Sequence, residues 1–168
     1  LSKIEAEQLN VAHESFNLRE SLENVLKTSQ PLADSKGISL SADIAPDIGT
    51  IISDRRRVEQ ILLNLLSNAA LALQVAKREQ PRIAVTVEPK GQRLGVSVRD
   101  NGSGITADRL PQLFDAYRTF DDRQASDSHG LGLAIAKAQA SYLGCNIDVR
   151  SAPGAGSTFT LSGLQTLP

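Results

Sequence analysis

The sequence predicts an α+β two-layer sandwich, on three observations. Two β-branched runs, RIAVTVEP (82–89) and LGVSVRD (94–100), are separated around Pro89, Lys90 and Gly91 as in a hairpin. Two more strand-like runs, NIDVRS and STFTLS, stand on either side of Gly154 and Gly156. Helical patterns lie between other strands, and that mixture of hairpins and helices suits two layers. With 168 residues, 40% of them apolar, the chain can bury one core.

The elements follow in order. Residues 1–10 (LSKIEAEQLN) have the pattern of the last turns of a helix, with Leu1, Ile4 and Leu9 on its apolar side. VAHESFN reads as a polar linker. Asn17 reads as a helix N-cap, with Glu20 three residues on as an approximate capping box. Leu18, Leu22, Val25, Leu26 and Leu32 then recur at helical spacing, and Pro31 is expected to bend or end the regular part. ISLSADI (38–44) alternates as a strand does, with 50–52 as a short partner. Residues 54–78 hold the longest helical pattern. Residues 108–117 predict a short helix and turn, 119–129 (TFDDRQASDSH) a loop, and 131–143 a final helix.

Composition excludes several function classes. A net charge of −1 and a pI near 6.2 give no electrostatic footprint for nucleic acid or an anionic membrane. Any bound anion must therefore be held by local geometry. The single cysteine, Cys145, rules out an internal disulfide and fits a reducing cytosol. No apolar run approaches the ~20 residues of a membrane span, and no signal peptide opens the chain. The sequence has no methionine, which leads us to expect a piece of a longer protein.

Four places carry candidate chemistry. On the helix at 54–78, Gln60, Asn64, Ser67 and Asn68 share one face, opposite Ile61, Leu62, Leu65, Leu66, Ala69 and Leu73. Carboxamides are poor helix formers. Two at i and i+4 place hard oxygens beside one ion, and Mg²⁺ takes few protein ligands alongside phosphates and waters. The same pair also reads as solvated or helix-packing asparagines. Asp100-Asn101-Gly102-Ser103-Gly104-Ile105 directly follows a strand. An aspartate there can accept a hydrogen bond from an exocyclic amine such as that of adenine, with Gly102 and Gly104 permitting close backbone approach. The run equally has the composition of an ordinary turn. Gly130-Leu131-Gly132-Leu133 opens a helix, whose free N–H groups and dipole form a phosphate cradle without a lysine, or a helix start with packing glycines. Gly154-Ala155-Gly156-Ser157-Thr158-Phe159 reads first as a tight turn between strands.

In that order, and with Phe114-x-x-Tyr117 between the second and third, these motifs resemble the ATP-binding catalytic domain of sensor histidine kinases. That family belongs with gyrase-type topoisomerases and heat-shock-90 chaperones, and the match covers residues 17–162. The resemblance implies a Bergerat-type ATP-binding fold, a mixed sheet with helices on one face. It implies ATP and Mg²⁺ as ligands, with Asn68, assisted by Asn64, holding the metal against the phosphates. Asp100 would read the adenine amino group and Gly102 and Gly104 would shape the wall. Phe114 and Tyr117 would anchor a lid over 118–129, Gly130, Leu131 and Gly132 would meet the phosphates, and Thr158 would lie near the adenine. Arg118 and Arg123 are the candidate lid cations. LSKIEAEQL resembles the end of the second helix of a dimerisation and phosphoacceptor domain. Residues 1–13 are accordingly assigned to that helix and a linker, and 14–168 to the ATP-binding domain. Leu71 and Ala72 stand where many members have a lysine and an aromatic, and His129 where threonine or serine is common.

The activity implied is transfer of the ATP γ-phosphoryl to a histidine on an adjoining domain. The implied partners are the chain's own dimerisation and phosphoacceptor domain and a downstream response-regulator receiver domain, in the cytoplasm, without nucleic acid and without direct membrane contact. An ATP-hydrolysing clamp and a nucleotide-regulated interaction module are the alternatives. His13 and His129 lack the phosphoacceptor pattern, so the isolated chain is not expected to phosphorylate itself.

Overall fold

The computed structural model describes residues 10–115 and 132–167. In chain order these form β1 (Glu14–Asn17), α1 (Leu18–Ser35), β2 (Ser39–Ile44), β3 (Thr50–Ser53), α2 (Arg55–Ala76), β4 (Arg82–Lys90) and β5 (Arg93–Asp100). A 3-10 turn (Leu110–Gln112), α3 (Gly132–Tyr142), β6 (Asn146–Ala152) and β7 (Gly156–Thr166) follow. One sheet has the order β1-β3-β7-β5-β4-β2, with β6 also paired to β7. Among the described residues only β2 and β4 run parallel, so the sheet is mixed. The α+β expectation holds.

Strand alternation decides which face the helices cover. Ile83, Val85, Val87, Leu94, Val96, Val98, Phe159 and Leu161 are buried and join the helices in one core. The intervening positions carry Ala84, Thr86, Ser97, Arg99, Thr158 and Thr160, with Ser97 and Thr160 sharing a hydroxyl hydrogen bond of 2.8 Å. From the helices, α1 contributes Leu18, Leu22, Val25 and Ala33, and α2 contributes Val58, Ile61, Leu62, Leu65, Leu66, Ala69 and Leu73. Each large side chain stabilises the fold by ~1.5–3 kcal/mol on burial. By length and composition alone α2 would pass for a membrane span, but its apolar side is buried in this core.

Local signals explain the element ends. The Asn17 side chain accepts the Glu20 amide at 3.1 Å, as predicted, and Asp54 caps α2 by accepting the Arg57 amide at 3.1 Å. Pro31 does not end α1, which continues to Ser35. Pro31 and Lys27, whose carbonyl loses its helical partner, are both exposed, where solvent can replace the missing bond. Pro89 lies within β4 opposite Leu94, beyond Val87 where the pairing with β2 stops, so its absent N–H breaks no ladder on that side. The hairpin turns instead at Gly91 (φ 67°).

Two assignments need correction. The 50–52 strand pairs with β1 and β7, at the far end of the sheet from β2. Part of the expected linker is β1, which places Phe16 in the core. Just before it the Ala12 amide donates to Asp54 Oδ2 at 3.0 Å, and Glu14 Oε1 accepts the Arg55 amide at 3.2 Å. Residues 12–14 thus hold the start of α2.

Candidate functional site

The last residue of β5 is the most constrained part of the site. Strand alternation puts Asp100 on the core side, between Ile83 of β4 and Ser157 of β7. It is 1% exposed. Its Oδ1 accepts the Gly102 amide at 2.9 Å, whereas the buried Oδ2 has no hydrogen-bond partner. Burial raises the Asp100 pKa above the ordinary carboxylate value, and the backbone amides of Gly102 and Ser157 oppose that shift. The Ser157 amide acts without closing a hydrogen bond to Oδ2. An orphaned buried acceptor costs about 1–3 kcal/mol, more if charged, and folded proteins retain few of them. A ligand N–H would satisfy it.

The residues after Asp100 are shaped by packing. Asn101 Nδ2 donates to the Gln80 carbonyl at 2.9 Å and its Oδ1 accepts the Arg82 amide at 2.7 Å, pinning the loop to the start of β4. A Cβ on Gly102 would sit 2.9 Å from Asp100 Oδ1 and 3.4 Å from the Ala72 carbonyl. A side chain there would push on the Asp100 carboxylate, and α2 approaches this loop at Ala72. At φ 78° Gly104 packs where any side chain would run into the Ala152 carbonyl, so glycine is required for the loop after β5 to lie against the β6–β7 turn.

Thr158 does not lie beside Asp100. It pairs with Arg99 on one side and Arg150 on the other, on the sheet face away from the helices. The neighbour of Asp100 is Ser157, buried and sharing a 2.8 Å hydroxyl hydrogen bond with Ser151. Sequence reasoning passed over Ser157, although the two-residue strand period counted back from Phe159 identifies it.

On α2, Asn64 and Asn68 are half-buried and one turn apart. Neither carboxamide makes a hydrogen bond to another described residue. Gln60, on the same face, is instead tied to α3, its Oε1 accepting Gln139 Nε2 at 2.9 Å. Among the described residues no group of three or more His, Cys, Asp or Glu can hold a metal. A cation here would depend on carboxamide oxygens and a ligand's phosphates, a set that suits Mg²⁺.

Gly132 begins α3, and a Cβ there would meet nothing within 4 Å. Packing therefore does not demand glycine at this position. Phe114 lies edge-on to Phe159, with centroids 6.4 Å apart and planes at 88°, and Lys137 Nζ stands 5.1 Å from its ring centre. Tyr117, Arg118, Arg123, His129, Gly130, Leu131 and the rest of the expected lid lie outside the described residues, as does the helical pattern at 1–9.

A buried acceptor beside Gly102, which meets the α2 backbone at Ala72, and a helix with two carboxamides that engage no other described residue suit a base that carries an amine and a metal-bound polyphosphate. The class so defined is an adenine-nucleotide-binding domain. The family model described as "Histidine kinase-, DNA gyrase B-, and HSP90-like ATPase" matches residues 53–166, and the chain belongs to that family. It is similar to the sensor histidine kinase RcsC of Escherichia coli (strain K12), at 34% identity over 163 residues covering 95% of this chain and 17% of RcsC. The chain thus spans under a fifth of that relative's length. Among solved structures it is similar to full-length ShkA in complex with AMPPNP, with a TM-score of 0.80 and 27% identity over 94% of this chain and 32% of that one. The catalytic domain of histidine kinase ThkA shares the fold, with a TM-score of 0.76 at 24% identity over 92% of this chain and 96% of that one. The fold is of the Bergerat type.

Proposed function

We propose that this chain is the catalytic domain of a sensor histidine kinase, which binds ATP with Mg²⁺ and presents the γ-phosphoryl to a histidine on an adjoining dimerisation domain. The observation that carries the reading is the partnerless Oδ2 of Asp100, an acceptor suited to the adenine amine. Asn68, assisted by Asn64, would hold the metal, whose charge offsets that of the phosphate oxygens when bound. Gly132, with Gly130 and Leu131, would meet the phosphates at the start of α3. Ser157, not Thr158, takes the place beside the base. The chain's residues hold and orient, while the accepting imidazole supplies the nucleophile. Asn64 favours transfer over hydrolysis, because a carboxamide cannot accept a proton from water as a general base.

A receiver domain of a response regulator would be the next phosphoryl acceptor, and the cytoplasm is the compartment that supplies ATP to such a pair. The test is incubation with γ-labelled ATP. The chain alone should stay essentially unlabelled, and adding its parent's dimerisation domain should give acid-labile label on that domain, weakly because the encounter is no longer tethered. Stoichiometric labelling of the chain alone would make His13 or His129 an acceptor. Fast ATP turnover without any acceptor would favour the hydrolysing clamp.

A further inference from the structure

Arg78 stands one residue beyond the left-handed Lys77 (φ 52°) that ends α2 and turns the chain back. Its guanidinium reaches three backbone carbonyls. Nε donates to Asn101 O at 3.1 Å, and Nη2 donates to Gly102 O at 3.2 Å and Gly154 O at 3.3 Å. An exposed arginine is ordinarily a solvated charge worth little. This one engages carbonyls on two separate loops and forms no ion pair among the described residues.

Two of those carbonyls border the group that fixes Asp100. The Asn101 carbonyl and the Gly102 N–H belong to one peptide plane. Arg78 Nε–H, that peptide and Asp100 Oδ1 therefore form a continuous hydrogen-bonded chain, with links of 3.1 Å and 2.9 Å. Donation to the carbonyl polarises the peptide and strengthens its N–H as a donor. The next peptide is held by the same guanidinium through Gly102 O, so both planes around Gly102 are fixed. The third carbonyl lies in the β6–β7 turn, where the Gly154 amide also donates to Ser103 O at 2.7 Å, three residues before Ser157, which pairs with Asp100.

We propose that Arg78 is a positioning residue for adenine recognition. Acting through the Asn101–Gly102 peptide, it commits Asp100 Oδ1 to the backbone and leaves Oδ2 to accept the adenine amine. The proposal rests on Asp100 being the adenine acceptor. Lysine is a poor substitute, because a single ammonium lacks the planar fork that spans these carbonyls.

The test is a double-mutant cycle on the intact chain, with ATP and GTP affinities and melting temperatures for the parent, Arg78→Ala, Asp100→Ala and the pair. Arg78→Ala should weaken ATP binding about fivefold and narrow the ATP/GTP ratio, with no further loss once Asp100 is alanine. Arg78→Lys should recover only part of that loss, and carries the same cycle if the alanine variant does not fold. Arg99→Ala, on the opposite sheet face, should bind as the parent does. A melting shift with an unchanged ATP/GTP ratio, or equal losses in both Asp100 backgrounds, would overturn the proposal. Asp100→Ala binding ATP as tightly as the parent would overturn the adenine reading itself, a result separate from anything Arg78 does.

Discussion

The end of β5 and the half-buried asparagine face of α2, the two ends of the proposed site, stand in opposite states of readiness. At β5 the protein has already placed every group it can. Asp100 Oδ1, the Asn101 carboxamide and the Gly102 peptide are all engaged, and one carboxylate oxygen is left over. On α2 the Asn64 and Asn68 carboxamides make no hydrogen bond to another described residue. On the proposed function the base-reading end is preorganised at a cost in stability, whereas the metal end would acquire its order from the ligand. Recognition of the base should then survive without metal, and the metal contribution should vanish without the asparagines.

The largest effect is expected where preorganisation depends on backbone approach. Gly104→Ala would combine an unfavourable positive φ with a side chain directed at the Ala152 carbonyl, costing ~3 kcal/mol or more of stability. Chemical denaturation measures it, and a loss below about 1 kcal/mol would show that the β6–β7 turn is not rigid. Asp100→Ala comes next. Losing a charged hydrogen-bond partner should weaken ATP binding by ~1.5–3 kcal/mol, roughly ten- to a hundredfold, in calorimetric titration. Asn68→Ala should leave metal-free binding and melting unchanged while removing the tightening that Mg²⁺ brings. Persistence of that tightening would move the metal elsewhere.

The smallest effect has the opposite sign. Because burial raises the Asp100 pKa in the folded state, the folded domain holds its proton to higher pH than the unfolded chain does. Its contribution is favourable in acid and is lost as pH rises through that raised value. Asp100→Asn should therefore raise the melting temperature of the ligand-free domain by a few degrees at neutral pH, with the gain fading in acid. A variant that melts lower at neutral pH would mean the carboxylate is better satisfied than its partnerless Oδ2 implies.

Most elements of the fold were legible because each carries its own periodicity, as α2 does in its apolar side and β4 and β5 do in their β-branched alternation. What escaped depended on residues far away in sequence. ESFN has one buried residue in four and becomes a strand only by pairing with β3. Likewise β3 takes its partner from the tail of β7, more than a hundred residues on. Within the proposed site, Asp100, Asn64 and Asn68 stood out by type and spacing. Thr158 was one residue out of register, and a single step along a strand reverses its face. Sequence does not reveal that Ala152 lies against Gly104, which gives that glycine a packing reason of its own. Arg78 gave no signal at all, since a cation after a helix usually serves only the helix end.

The central claim is that Asp100 reads an amine on the base. Titration of the parent chain with ATP and with GTP, each with and without Mg²⁺, tests it most directly. Adenine presents an amine where guanine presents a carbonyl oxygen, which would face the free carboxylate oxygen acceptor to acceptor. The account predicts GTP binding at least about tenfold weaker than ATP, with that ratio kept when the metal is left out. Equal affinities for the two nucleotides would contradict it.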